Sequence, residues 1–191
     1  MKRHVEEGSY YHLWIAAAHD SLFFQSNLDK ACVISIFQNI LSPRNQNVRS
    51  DSVSLVAYSL TDFGMNLLLY AKKKDVVEGF GQVLLLQYAA YLTEQRSWEV
   101  LPFDTIFTND RLKDEHEALV ISKQIHLLHH YWRNDRYSSI GFYLDDRRGD
   151  WIQPWRLVAL FNNDRSWYEH YLKDELPYEK TSSPELEYIE T

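Results

Sequence analysis

The chain is poor in cysteine and in long apolar runs, and each shortage excludes a class of protein. The one cysteine, Cys32, lies in the apolar pattern ACVISIF, where a small core residue is favoured over a nucleophile or half of a disulfide. No run of about 18 apolar residues is present to span a membrane, and the N-terminal MKRHVEEGSYYH lacks the apolar segment of a signal peptide. The sequence therefore predicts a cytoplasmic protein without membrane contact.

Positive charge is also scarce, because 20 lysines and arginines face 27 acidic residues and leave a net charge of −7. Such a balance disfavours nucleic-acid binding, which needs a basic surface to neutralise phosphates. Six acidic residues and one lysine fall in 174–191, however, so this stretch carries −5 and the remaining body only −2. A body so near neutrality can still hold a basic patch. We expect one domain over 1–173 and an acidic, flexible tail over 174–191.

The spacing of apolar residues predicts alternating strands and helices in a single α+β domain. Strands are predicted over Ser9–Ala17, Val53–Leu60, 64–70 and 102–108, and helices over 27–41, 75–92, 114–130, 155–161 and 166–172. Asn27 is expected to cap the first helix, and DRYSSIGFYLDDRRGDW is expected to be a loop. The order βαββαβ is typical of the ferredoxin-like arrangement, an antiparallel sheet with helices on one face, here followed by C-terminal helices.

The most informative stretch is YSLTDFGMNLLLY, residues 58–70. It resembles a strand of the REP-associated tyrosine transposases, single-strand DNA transposases of the HUH class, which reads Tyr-Val-Leu-Met-Pro-Asn-His-Val-His-Leu-Leu-Leu. Without a gap, Tyr58, Leu60 and the three leucines 67–69 match this pattern. The likeness extends from about Gly8 to Leu172 through GSYYHLW, LFFQSNLDK, VLLLQYAAYLTEQ, KQIHLLHHYW, YSSIGFYL, RRGDW and LVALFNNDRSWYEHYL.

The resemblance implies a catalytic centre whose reactive groups have been replaced. In the family, two histidines two residues apart on one strand hold Mg²⁺ or Mn²⁺, which polarises the scissile phosphate. Their positions here are Gly64 and Asn66. The nucleophilic tyrosine of the family, which forms a 5′-phosphotyrosine link, falls on Gln124. We therefore expect a relative without catalytic residues, metal ligands or cofactor.

Other residues offer alternative sources of chemistry. Tyr88 or Tyr91 could be a relocated nucleophile, although core packing at helical spacing is favoured. The pattern H-x-x-H-H at 126–130 could share a cation, although core or surface histidines are favoured. A third interpretation is an active enzyme whose metal ligands come from His12, His19 or this helix.

Basic residues near the predicted ends of strands and helices could form a rim that contacts phosphates. These candidates are Lys72, Lys73, Lys74, Arg96, Arg111, Lys113, Arg133 and Arg136. Trp98, Trp132 or Tyr137 could stack on bases. The resemblance implies single-stranded or hairpin DNA as the partner. The alternative is a protein-protein interaction module on the same scaffold, with the acidic tail and aromatic surface as contacts, and a homodimer is a further possibility.

Overall fold

The computed structural model describes residues 8–18, 21–42, 53–96 and 105–174. Within these ranges the chain forms four strands and six α-helices, and the predicted α+β class is confirmed. The elements are β1 (Ser9–Ala17), α1 (Asn27–Leu41), β2 (Val53–Leu60), β3 (Gly64–Ala71), α2 (Lys74–Arg96), β4 (Thr105–Arg111), α3 (Glu115–Leu127), α4 (Ile140–Leu144), α5 (Trp155–Val158) and α6 (Arg165–Lys173). None of the helices in these ranges is both long and apolar enough to cross a membrane.

The four strands form one sheet in the order β2-β3-β1-β4, and every neighbouring pair is antiparallel. β2 and β3 form a hairpin, in which the Thr61 amide donates to the Gly64 carbonyl at 2.9 Å. β1 lies inside the sheet, between β3 and β4. The two longer connections each contain one helix, α1 between β1 and β2, and α2 between β3 and β4.

Helices cover both faces of the sheet. Leu13, Ile15 and Leu67 point to the face covered by α1 and α2, whereas Tyr10 and Leu68 point to the face covered by α3 to α6. Helices were predicted on one face of the sheet. α1 and α2 cover one face, but α3 and the C-terminal helices bury the second face as well. The apolar runs of β2 and β3 are nearly continuous, because the alternation of apolar and polar residues is lost when both faces of a strand are buried.

The first helix is capped one residue earlier than the sequence suggested. Ser26, not Asn27, is the N-cap, and its hydroxyl accepts a hydrogen bond from the Asp29 amide at 3.3 Å. The Asp29 carboxylate in turn accepts from the amides of Ser26 and Gln25, at 3.0 and 2.9 Å. This reciprocal capping box satisfies backbone donors that Asn27 alone would leave open, which explains the shift.

The segment expected to be a loop after α3 contains α4 and covers the outer edge of β2. The Leu60 amide donates to the Tyr137 carbonyl at 2.9 Å, and the Ser139 amide donates to the Tyr58 carbonyl at the same distance. Covered in this way, β2 presents fewer open backbone groups than an exposed edge strand would. At the other edge, β4 is described from Thr105 to Arg111, and the predicted first residues of this strand, 102–104, lie outside the described ranges.

Candidate functional site

Gly64, the first predicted metal position, has no room for a side chain. It pairs with Ala16 of β1, and a Cβ atom added to it would lie 2.4 Å from the Ile15 carbonyl oxygen and 2.8 Å from Ala16 Cα. Both are backbone atoms of the neighbouring strand, so they can move only if the sheet opens. The close approach of β1 and β3 therefore requires glycine here, and a histidine cannot be accommodated without displacing β1.

Asn66, the second predicted metal position, is hydrogen-bonded to His12. Both side chains point to the α3 face, and His12 Nε2 lies 3.2 Å from Asn66 Oδ1. Burial lowers the pKa of His12, while the Asn66 contact and the charge of Asp110 act in the opposite direction. The neutral imidazole donates its Nε2 proton to the amide oxygen, so the ring nitrogen nearest Asn66 is already used.

Gln124, at the predicted nucleophile position, is half-buried on α3. This helix packs across β1, β2 and β3 on the face where Asn66 and His12 lie. The side chains of His12 and Asn66 and the helix that carries Gln124 therefore lie on the same face of the sheet. An amide at position 124 offers neither a phenolate nor a metal-activating charge.

Tyr88 and Tyr91 lie on the opposite face, away from the predicted metal positions. Both belong to α2, where the Tyr88 hydroxyl donates to the Phe23 carbonyl at 3.0 Å and the Tyr91 hydroxyl donates to Asp29 Oδ1 at 3.4 Å. The sheet separates them from Asn66, because α2 packs against the α1 side of the sheet. Their positions agree with the favoured interpretation of aromatic core residues.

A row of polar side chains crosses the sheet at the level of Asn66. Ser59 pairs with Asn66, Asn66 with Trp14, and Trp14 with Thr108, so the four side chains share the α3 face. The hydroxyls of Ser59 and Thr108 are buried without a hydrogen-bond partner among the described residues. This row was not predicted from the sequence, although the serine within the apolar run of β2 indicates it.

The H-x-x-H-H pattern does not assemble a metal site. His126 is buried, and its Nδ1 and Nε2 lie 2.8 Å from the Tyr168 hydroxyl and 2.7 Å from the Ser139 hydroxyl. Burial lowers the pKa of His126 to about 3. His129 Nε2 instead faces Asp135 at 3.5 Å. Across the described ranges no group of three or more histidine, cysteine or acidic side chains could hold a metal ion. His19 lies outside those ranges.

Five of the predicted basic residues gather at one end of the sheet, which we call the lysine end. Its members are Lys72, Lys73, Lys74, Arg111 and Lys113. β3 and β4 both run antiparallel to β1, so their C-terminal ends lie beside its start, where Ala71 pairs with Ser9 and Arg111 with Tyr11. All five side chains are exposed, and none forms an ion pair with an acidic residue of the described ranges.

Three acidic residues near the lysine end accept hydrogen bonds from backbone amides. Asp75 accepts from the Val76 amide at 3.0 Å at the start of α2. Asp114 caps α3 by accepting from the Glu117 amide at 2.9 Å, and the Glu117 carboxylate accepts from the Lys113 amide at 2.6 Å. Carboxylates held at helix N-termini are partly compensated by the helix dipoles, which leaves the lysines less neutralised than the sequence suggests.

The remaining basic candidates do not join this group. Arg133 and Arg136 flank the turn that pairs with the C-terminal end of β2, at the opposite end of the sheet. Arg133 lies 3.0 Å from Asp145 and 3.6 Å from Glu169, so its charge is largely neutralised. The side chain of Arg96 lies outside the described residues. The single rim expected from the sequence is therefore divided into two ends.

The aromatic candidates for base stacking are also only partly available. Trp132 is half-buried against the α3 to α6 core. Tyr137 is half-buried, with the Lys30 ammonium 5.4 Å from the centre of its ring. Trp98 lies outside the described residues. None of these rings borders the lysine end in the described structure.

Comparison of this chain with protein-family models, with curated proteins and with solved structures finds no match. The likeness to HUH transposases consequently stays a prediction from the motifs.

Proposed function

We propose that this chain binds single-stranded or hairpin DNA on a ferredoxin-like scaffold of the HUH transposase type and does not cut it. The scaffold is supported by the strand order β2-β3-β1-β4 and by the two crossover helices α1 and α2. The observation that carries DNA binding is the lysine end, where five exposed cations without acidic partners in the described ranges lie at one edge of the fold. Such a cluster suits phosphate contacts, which supply most sequence-independent affinity.

The absence of cleavage is proposed from the three replaced positions. Gly64 leaves no space for a ligand, and Asn66 is engaged with His12. Gln124 has no ionisable group to attack phosphorus. Each change alone would weaken phosphodiester chemistry, and together they remove both the metal ligands and the nucleophile that the resemblance implies.

Binding is tested by fluorescence anisotropy of the full-length chain with single-stranded and hairpin oligonucleotides over a series of salt concentrations. The double variant Lys72→Ala/Lys73→Ala should weaken binding and reduce the slope of log affinity against log salt by about 1.4, since each phosphate contact to a single strand contributes about 0.7. The charge-matched control is Arg133→Ala/Arg136→Ala at the opposite end. Equal losses in both variants would contradict the assignment to the lysine end.

Cleavage is tested separately, by incubating the protein with hairpin oligonucleotides and Mg²⁺ or Mn²⁺ and separating the products on a denaturing gel. No covalent protein–DNA adduct is expected. A phosphotyrosine-linked product would refute the inactive assignment and would point to His12 and the α3 histidines as metal ligands.

A protein-protein interaction module is the second candidate function, and exposed aromatic side chains favour it. Tyr131 is 80% exposed and Trp167 is 59% exposed, both on the layer formed by α3 to α6. The net charge of −7 fits a protein partner better than it fits DNA. If micromolar protein does not shift single-stranded DNA at low salt, where the phosphate contribution is largest, this second function is preferred.

A further inference from the structure

A pocket of about 310 Å³ opens between α2 and the edge strand β4. Its lining residues are Lys74, Glu78, Gln82, Phe107 and Asn109. The three α2 residues follow one another at intervals of four and share one face of the helix, while the two β4 residues are two apart and share one face of the strand. The pocket is at the lower end of the size range of ligand sites, which suits a single ring system.

Asn109 supplies an unused acceptor beside this pocket. Its side chain is only 7% exposed, and its Nδ2 donates to the Lys74 carbonyl at 3.4 Å. The Oδ1 atom is buried and has no hydrogen-bond partner within the described residues. Buried carbonyl oxygens of this kind are normally satisfied, so a ligand that enters the pocket and turns the Asn109 amide toward itself would complete the site by donating a hydrogen. The Glu78 carboxylate, which forms no ion pair in the described ranges, adds a second acceptor.

Phe107 provides a flat apolar wall. A Cβ atom on Gly81 would lie 2.4 Å from Phe107 Cε2, so the glycine allows the ring to pack directly against α2. The Phe107 side chain stays partly exposed. A partly exposed aromatic ring at the edge of a cationic surface is the arrangement on which the bases of a single strand stack.

We propose that this pocket receives adenine or cytosine from a single strand whose phosphates contact the lysine end, because these two bases carry an exocyclic amine where guanine and thymine carry a carbonyl oxygen. The inference rests on the proposed DNA-binding function and adds a base-recognition site to it. Lys74 belongs both to the lysine end and to the pocket lining, so a strand bound by Lys72 and Lys73 passes the pocket mouth. The exocyclic amines of adenine and cytosine can donate to Asn109 Oδ1 and Glu78, whereas thymine presents carbonyl oxygens at the equivalent position.

The test measures the affinities of the full-length protein for oligo(dA), oligo(dC) and oligo(dT) of equal length at one salt concentration. We expect oligo(dA) or oligo(dC) to bind at least fivefold more tightly than oligo(dT), and the stronger of the two identifies the base. For adenine, an oligomer with unsubstituted purine in its place should bind as weakly as oligo(dT), because the donor amine is absent.

Two variants locate the preference in the pocket. Asn109→Leu and Glu78→Met should each bring the ratio of affinities close to one and leave the salt slope unchanged. Glu78→Met removes both acceptor oxygens at a partly exposed position and keeps a similar side-chain size, so it decides the outcome if Asn109→Leu fails to fold. The matched control is Lys72→Ala/Lys73→Ala, which should weaken all oligomers and reduce the slope while preserving the ratio.

The possible failures are distinguishable. Equal affinity for all oligomers, or a preference that survives both pocket variants, would overturn the base site and leave DNA binding at the lysine end intact. If no oligomer binds at low salt, both the base site and the proposed function are overturned.

Discussion

His126 illustrates how burial fixes the protonation of a single side chain. Its two ring nitrogens are bonded to the hydroxyls of Tyr168 and Ser139, and the ring meets Tyr143 edge-on with centroids 4.6 Å apart. Burial lowers the pKa of His126 to about 3. The imidazole is therefore neutral in the folded protein at neutral pH, and its bonds hold α3, α6 and the segment beside β2 together.

This burial predicts a loss of stability at acidic pH. A histidine in the unfolded chain has a pKa of about 6.5, so between pH 6.5 and 3 the unfolded state binds the proton and the folded state does not. The free energy of unfolding should fall by about 1.4 kcal/mol per pH unit below 6.5, or roughly 2 kcal/mol by pH 5. Urea unfolding at pH 7 and pH 5 measures this difference.

The variant His126→Gln should lose about 2 kcal/mol of that pH dependence, because it removes the titrating group. His130→Gln, at an exposed position, is the control and should keep the full difference. An unchanged pH dependence in His126→Gln would show that another group is responsible.

At the residue scale, the sequence predicted candidate positions but not their surroundings. The pattern predicted Gly64 and Asn66 as the positions of the family's metal ligands, because a strand motif is contiguous along the chain. The His12 contact depends on the register of β1 against β3, between residues 54 positions apart. No local pattern encodes that register. The unpartnered oxygen of Asn109 depends similarly on how α2 approaches β4.

At the scale of the element, α2 contains two glycines with opposite structural roles. A Cβ atom on Gly79 would meet no atom within 4 Å, whereas one on Gly81 would collide with the Phe107 ring. Gly79→Ala should therefore raise the free energy of unfolding by about 0.5–1 kcal/mol, because alanine loses less conformational entropy in a helix. Gly81→Ala should give no such gain.

Chemical denaturation of the two alanine variants beside the unmodified chain measures this contrast. The pair is well matched, since both substitutions are Gly→Ala within two residues of one helix. Equal stabilisation by Gly81→Ala would mean that the Phe107 ring moves without cost, and the pocket wall described above would then be lost.

Elements with strong local patterns were predicted well, and elements held by distant contacts were not. The bounds of β1 and β2 follow directly from their apolar and β-branched residues. α4 was missed because its five residues are too few to show a helical period. It is fixed instead by tertiary contacts, including the Tyr143 hydroxyl, which donates to the Val56 carbonyl at 2.9 Å. Short helices of this kind are specified by the sheet they cover.

On the scale of the whole molecule, two helical layers share one sheet, which predicts cooperative unfolding. Trp151 lies in the core between the sheet and α1, and Trp132 packs against the core on the other face. Loss of either layer would expose one face of the sheet to water. Urea unfolding followed by tryptophan fluorescence and by far-UV circular dichroism should therefore give one midpoint. Two separate transitions would contradict both this expectation and the single domain predicted for 1–173.

The distribution of charge is likewise a property of the whole molecule that the sequence only partly revealed. The composition shows that acidic residues outnumber the cations. It could not show that those of the lysine end are left without acidic partners in the described ranges, while Arg133 is paired with Asp145 and Glu169. Strand order decides which cations become neighbours, and strand order is set by long-range pairing that no window of sequence contains.

The tight contact at Gly64 has an evolutionary consequence. For a descendant of a metal-dependent nuclease, reversion by single codons is blocked, because an imidazole restored at this position would collide with the Ile15 carbonyl before any ion could compensate. Selection would have to displace β1 first, at a cost in stability and with no immediate benefit. Under the proposed descent, an exchange of histidine for glycine at this position is therefore easier to make than to reverse.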